Sequence, residues 1–82
     1  MNGEPIVSPF LGTVEEVLIN STCRIYEWEN LFKIRAVNGE LNTVSMGLSG
    51  EIQSIEVKIG DNITPGMVLA VVKEDLIATG SD

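Results

Sequence analysis

Three primary amines, one thiol and twelve acidic side chains are the groups in this sequence with chemistry to offer, and there is no histidine. The amines are Lys33, Lys58 and Lys73. A lysine that sheds its proton is a flexible nucleophile, able to accept an acyl group as a stable amide. The thiol, Cys23, has only Arg24 as an electropositive neighbour in sequence, which is too little to make a reactive thiolate. It reads as a packed or idle cysteine. One cysteine cannot form an internal disulfide or a multi-cysteine zinc site, and its isolation fits a reducing compartment. Without histidine, an imidazole base or an imidazole-ligated metal is excluded. The acids at Glu15-Glu16, Glu27, Glu29, Glu51, Glu56 and Glu74-Asp75 show no metal-ligand spacing. They read as a solvated surface, with a docking face for a basic partner as the alternative. No nucleophile-plus-base arrangement, phosphate-cradling glycine loop or catalytic carboxylate pair is recognisable, so the chain is not expected to be an enzyme.

Composition narrows the setting. With 82 residues the chain holds one small domain. Five scattered basic residues against twelve acidic ones, a net charge of −7, supply no basic face for nucleic acid. Apolar residues make up 44% and charged residues 21%, near globular averages. No apolar run approaches the ~20 residues that span a bilayer. The start, Met-Asn-Gly-Glu-Pro, has neither a positive nor an apolar leader region. A cytoplasmic protein without membrane insertion is the expectation. At this length burial barely offsets the roughly 1.5 kcal/mol per residue of ordering entropy, so nearly every strand face must be used, or copies must associate.

The elements that position these groups emerge when the chain is slid against itself by 38 residues. Segment 6–34 then lies on segment 44–72 without a gap. Gly12 meets Gly50, Ile6 meets Val44, Phe10 meets Leu48, Val14 meets Ile52 and Val17 meets Ile55. Ile19 meets Val57, Ile25 meets Ile63, Leu31 meets Leu69 and Ile34 meets Val72. The matched glycines imply a special backbone requirement at both places.

Each half reads as β. β-Branched, alternating runs predict strands near 5–8, 13–20, 30–36, 41–46, 51–58 and 68–73, with short bridging strands near 24–26 and 62–64. Val14/Val17 and Ile52/Ile55 are three apart, which breaks alternation and calls for a bulge or a strand bend after each glycine. Pro65-Gly66 suits the centre of a type II turn. Between the halves, Asn38-Gly39 is a strong hairpin signal, so a hairpin over 35–43 should join them with its tip there. The expected fold is all-β: a flattened barrel-sandwich of two quasi-symmetric four-stranded halves filling 1–73, with a loose tail over 74–82.

The motifs Ser8-Pro9-x-x-Gly12, Ser45-x-x-x-Ser49-Gly50 and Gly60-Asp61-x-Ile63-x-x-Gly66-x-x-Leu69, together with the repeat, resemble the biotinyl/lipoyl carrier domains. The resemblance covers about residues 5–73. It implies the hammerhead form of the barrel-sandwich and, at the tip of the hairpin between halves, a lysine that carries biotin or lipoate. The chain departs from the family at that place. Counted forward from Ile34 the lysine position is Asn38; counted back from Gly50 it is Gly39, because the hairpin is one residue longer. Val37 and Gly39 flank Asn38 where acidic or methionine neighbours are common. A carboxamide nitrogen, delocalised into its carbonyl, is no nucleophile, and glycine has no side chain. A three- to five-residue loop with Gly39 left-handed would absorb the extra residue.

The resemblance therefore implies a carrier-shaped domain with neither biotin nor lipoate. Its tip, Val37, Asn38, Gly39 and Glu40, would face a protein partner, such as a carboxylase or acyl-transfer component. The alternatives are a carrier using a displaced lysine, Lys33 foremost, and a structural adaptor. In the first half, Thr22 and Trp28 stand where the second half has Gly60 and Gly66. Tryptophan tolerates positive φ badly, so the Tyr26–Asn30 turn should differ in shape from Thr64–Val68. The aromatics Phe10, Tyr26, Trp28 and Phe32 all lie in the first half. They read as caps on one end of the barrel, with Trp28, between Glu27 and Glu29, as the exposed exception and a further candidate partner contact.

Overall fold

A computed structural model describes residues 3–75. Eight strands follow in order: β1 (Glu4–Val7), β2 (Gly12–Val17), β3 (Arg24–Ile25), β4 (Phe32–Ala36), β5 (Leu41–Val44), β6 (Gly50–Ile55), β7 (Asn62–Ile63) and β8 (Val68–Glu74). They form two antiparallel sheets, ordered β1-β8-β6-β3 and β5-β4-β2-β7. Each sheet takes two strands from each half of the chain, so neither half has a sheet of its own. Exchanging first-half strands for their second-half counterparts turns one order into the other.

The same 38-residue offset governs the registers. Gly12 pairs with Ala36 and Val14 with Ile34, as Gly50 pairs with Glu74 and Ile52 with Val72. The ladders slip between Val14 and Glu16 and between Ile52 and Ser54, so the broken alternation is a bulge in each strand. The core repeats it as well. All fourteen buried hydrophobic residues of the described chain fall into seven pairs 38 apart: Ile6/Val44, Val14/Ile52, Ile19/Val57, Ile25/Ile63, Leu31/Leu69, Phe32/Ala70 and Ile34/Val72. Phe32/Ala70 is the pair that sequence comparison misses, because a large side chain matches a small one. Phe10, Leu48, Val17 and Ile55 pack half-buried against this core.

The matched glycines have a reason other than backbone torsion. Positive φ occurs at Gly39, Gly60 and Gly66, but not at Gly12 or Gly50. A Cβ on Gly12 would lie 2.2 Å from the Arg35 carbonyl oxygen, and one on Gly50 would lie 2.2 Å from that of Lys73. Glycine is needed there because a neighbouring strand passes too close for any side chain.

One expectation fails outright. Thr22 and Trp28 adopt φ of +68° and +63°, so the first-half turns keep the shape of their glycine counterparts. Trp28 N–H donates to the Met46 carbonyl at 2.7 Å, as Gly66 N–H does to that of Ser8 at 2.7 Å. Glu29 N–H reaches Tyr26 as Met67 N–H reaches Thr64, both at 3.1 Å. These bonds override the local preference against a left-handed L-residue, roughly 1–2 kcal/mol.

Other departures are local. β2 and β6 end at Val17 and Ile55, short of the expected strands, so Lys58 lies in a turn and not in a strand. Asp61 closes that turn, its Oδ2 accepting the Lys58 N–H at 2.9 Å. β8 runs through Glu74, one residue into the expected tail; 76–82 lie outside the described residues. Phe32 is fully buried and Phe10 half-buried, but Tyr26 joins Trp28 in solvent, so two of the four aromatics cap nothing.

Candidate functional site

The hairpin between β4 and β5 is the most prominent feature. Its ladder runs from Phe32↔Val44 to Arg35↔Leu41 and continues where Ala36 N–H donates to the Glu40 carbonyl at 2.8 Å. That register centres on Asn38. Gly39 N–H donates to the Ala36 carbonyl at 2.9 Å, closing a β-turn, and Gly39 itself takes φ +89°. The loop is therefore Val37-Asn38-Gly39, a turn ending in a left-handed glycine, which accommodates one residue more than the tightest hairpin. Asn38 is the apex; the sequence alone left the choice between Asn38 and Gly39 open.

The loop chemistry is fixed by two further bonds. Asn38 Oδ1 accepts the Glu40 N–H at 2.9 Å. Arg35 Nη1 donates to the Gly39 carbonyl at 2.8 Å, while its Nε meets Glu15 Oε1 at 3.3 Å. Residues Val37 to Glu40 are all exposed, and Val37 is 81% exposed. Leu11, immediately before the close-approach glycine, and Leu41 are exposed apolar side chains at the same end. The cation nearest the apex is thus the Arg35 guanidinium. It stays protonated in proteins and cannot act as an acyl acceptor.

None of the three lysines reaches the apex. Lys33 lies mid-strand in β4 opposite Thr43, half-buried, with Nζ 3.6 Å from Glu16 Oε1. Lys73 lies in β8 opposite Glu51. Lys58 has a more exposed side chain than Lys33, 85% against 35%, and its Nζ is 3.4 Å from Asp61 Oδ1. The Asp61 carboxyl beside it is held below the ordinary range, chiefly by the bond from the Lys58 backbone N–H.

Trp28 does not belong to the hairpin tip. It lies beyond the base of β4, about 13 Å of strand from the apex end before the turn begins. The five residues Val37, Asn38, Gly39, Glu40 and Trp28 therefore divide into a tip and a separate turn. Cys23 packs half-buried against the core. Ser8 is buried, its Oγ donating to the Phe10 carbonyl at 2.9 Å and accepting the Phe10 N–H at 3.0 Å. The Ser8-Pro9 motif is thus a turn device. The 38-residue offset carries Ser8 onto Met46, and the Met46 carbonyl accepts the Trp28 N–H as that of Ser8 accepts the Gly66 N–H.

That offset carries Arg35, Ala36 and Val37 onto Lys73, Glu74 and Asp75. The opposite end of the barrel is correspondingly charged. A cavity of about 280 Å³ is lined there by Arg24, Glu51, Lys73, Glu74 and Asp75, which sequence reading could not assemble because they come from β3, β6 and the end of β8. Arg24 grips Asp75 with two bonds, 2.7 and 3.0 Å, and Ser49 Oγ donates to the same carboxylate at 3.3 Å. The Arg24 bond holds the Asp75 carboxyl below its ordinary range and raises Arg24 in return. This contribution is complete above the unfolded carboxyl value of about 3.9 and disappears as pH falls through the lower folded value. Asp75→Asn should therefore unfold at a lower temperature than the wild type at neutral pH, and the gap should close in strong acid. A gap of equal size at both pH values in thermal unfolding would contradict this.

Among the described residues, no group of three or more potential metal ligands occurs and no helix is long and apolar enough to cross a membrane. No family model matches the chain. No curated protein sequence matches it either. Solved structures do. The urea carboxylase of Kluyveromyces lactis superposes with a TM-score of 0.80 at 20% identity, over 89% of this chain and 6% of that one. A single-chain, multi-domain long-chain acyl-CoA carboxylase superposes with a TM-score of 0.83 at 17% identity, over 94% of this chain and 8% of that one. The all-β barrel-sandwich is thus the fold of this chain and of a small part of each carboxylase; the chain spans less than a tenth of either.

Proposed function

We propose that this chain is a non-enzymatic biotinyl/lipoyl-like domain that carries no cofactor and serves as a binding or scaffolding module for a carboxylase or acyl-transfer assembly. The observation that supports this most is the hairpin apex. A carrier needs a nucleophilic amine on an exposed tip; this tip has the exposure, but its apex residue is Asn38 and its nearest cation is Arg35. The Asn38 oxygen is occupied in bracing the loop, and its amide nitrogen cannot attack an activated carboxyl. Likeness to parts of two carboxylases supports the choice of partner class. The apolar, uncharged character of Leu11, Val37 and Leu41 at the same end gives the tip a surface to dock with.

The test is the intact mass of the wild-type chain after expression with a biotin ligase and a lipoate ligase. The mass of the bare polypeptide is expected. A biotin or lipoate adduct on Lys58, Lys33 or Lys73 would replace this reading with that of a carrier using a displaced lysine.

A further inference from the structure

The Tyr26–Asn30 turn carries a feature that folding does not require. Its counterpart, Thr64–Val68, achieves the same backbone with glycine at the left-handed position and no side chain there. Here the same position holds Trp28, the sole tryptophan, 70% exposed and held at φ +63°. Its ring lies against Gly47, where an added Cβ would stand 2.7 Å from Cζ2 and 2.9 Å from Cη2. The ring therefore packs against Gly47 while most of the residue stays open to solvent. Tyr26 is exposed in the same turn.

The same turn also carries acidic charge. Glu27 and Glu29 flank Trp28 and are exposed. Glu29 Oε1 accepts the Tyr26 N–H at 2.9 Å, which fixes that carboxylate beside the turn. The ion pairs among the described residues are Arg24–Asp75, Lys33–Glu16, Arg35–Glu15 and Lys58–Asp61. Neither Glu27 nor Glu29 takes part, so their charge is not neutralised within the described fold.

We propose that the Tyr26–Asn30 turn is a docking site for a basic segment of a partner protein. An arginine or lysine side chain of that segment stacks on the open face of Trp28, and Glu27 and Glu29 balance its charge. An indole face is the strongest aromatic partner for a cation, and the planar guanidinium adds stacking. This site lies beyond the base of β4, apart from the hairpin tip, and does not depend on the role proposed for the tip.

Because Trp28 is the only tryptophan, its fluorescence reports the site directly. Titration with hexa-arginine should change its emission saturably, and hexa-glutamate should not. Amide shifts on adding hexa-arginine should be confined to 26–30 and the facing 46–48. Glu27→Gln should weaken binding severalfold. Trp28→Gly, followed by amide shifts, should weaken it about tenfold, yet keep a urea midpoint close to that of the wild type, since the counterpart turn folds with glycine. The proposal is overturned by an unchanged emission, by shifts spread over distant acids such as Glu4, Glu40 and Glu56, or by undiminished binding in Trp28→Gly. Emission that changes with protein concentration alone would also overturn it, by showing that a second copy covers the ring.

Discussion

Gly50→Ala is expected to remove roughly 3 kcal/mol of folding stability, and Gly12→Ala about as much. The cause is steric and not conformational. The new Cβ would sit 2.2 Å from a carbonyl oxygen of the neighbouring strand, Lys73 for Gly50 and Arg35 for Gly12. Backbone cannot swing aside as a side-chain end can, so β6 and β8, or β2 and β4, would have to part where their ladders begin. A domain of this length has a total stability of roughly 4–12 kcal/mol, so one such change consumes a large share and the double variant should not fold. Gly39→Ala is the control. Its Cβ would meet nothing within 4 Å, and only the positive φ opposes it, at a cost of about 1 kcal/mol. Urea midpoints should rank wild type above Gly39→Ala, and that above Gly12→Ala and Gly50→Ala. Similar midpoints for all three variants would mean that the strands do not approach as described.

The second large effect is a gain. Asn38→Lys places a primary amine at the exposed apex, and the expected change is from no cofactor adduct to a substantial modified fraction when a ligase is present. The reaction needs only that the amine attack the activated carboxyl of the cofactor, form the amide and release the activating group. Nothing at the tip obstructs it: residues 37–40 are all exposed. The substitution removes the Asn38 oxygen that braces the Glu40 N–H, a net loss of about 1 kcal/mol at an exposed loop, which the ladder from Arg35↔Leu41 inward does not feel. A companion variant with Gly39 deleted as well returns the loop to two residues and presents the amine on a tighter turn. Intact mass after expression with each ligase reads the result. If neither variant accepts biotin or lipoate, this hairpin is not an acceptor tip, and the proposed kinship with carrier domains loses its support at that position.

Much of this was legible in the sequence because the core is written twice. Six of the seven buried pairs stand in the 38-residue self-comparison, and Gly12/Gly50 marked where strands nearly touch, though for a steric reason and not a torsional one. The three-residue spacing of Val14/Val17 and Ile52/Ile55 marked a bulge or a bend, and the ladders show the bulge. The Tyr26–Asn30 turn was misread because intrinsic preference at Trp28 argued against positive φ, while a long-range bond to Met46 enforced it. Strand ends were set too far because apolar alternation continues past Ile55 after ladder pairing stops; the Asp61 side chain, not the pattern, decides that Lys58 turns. The charged cavity was invisible, since only the sheet order brings Arg24 beside Asp75. The apex was the opposite case: hairpin chemistry narrowed it to two residues, and the register about Asn38 chose between them.

On the function proposed, this carrier-shaped fold carries nothing because its hairpin apex lacks an amine. The most direct measurement places the wild type and Asn38→Lys in the same cell, expressed together with a biotin ligase and a lipoate ligase, and reads both intact masses from one preparation. Ligase, cofactor supply and exposure time are then identical for the two. The account predicts the adduct on Asn38→Lys alone, with the wild type at its bare mass. A biotin or lipoate adduct on the wild-type chain would contradict it.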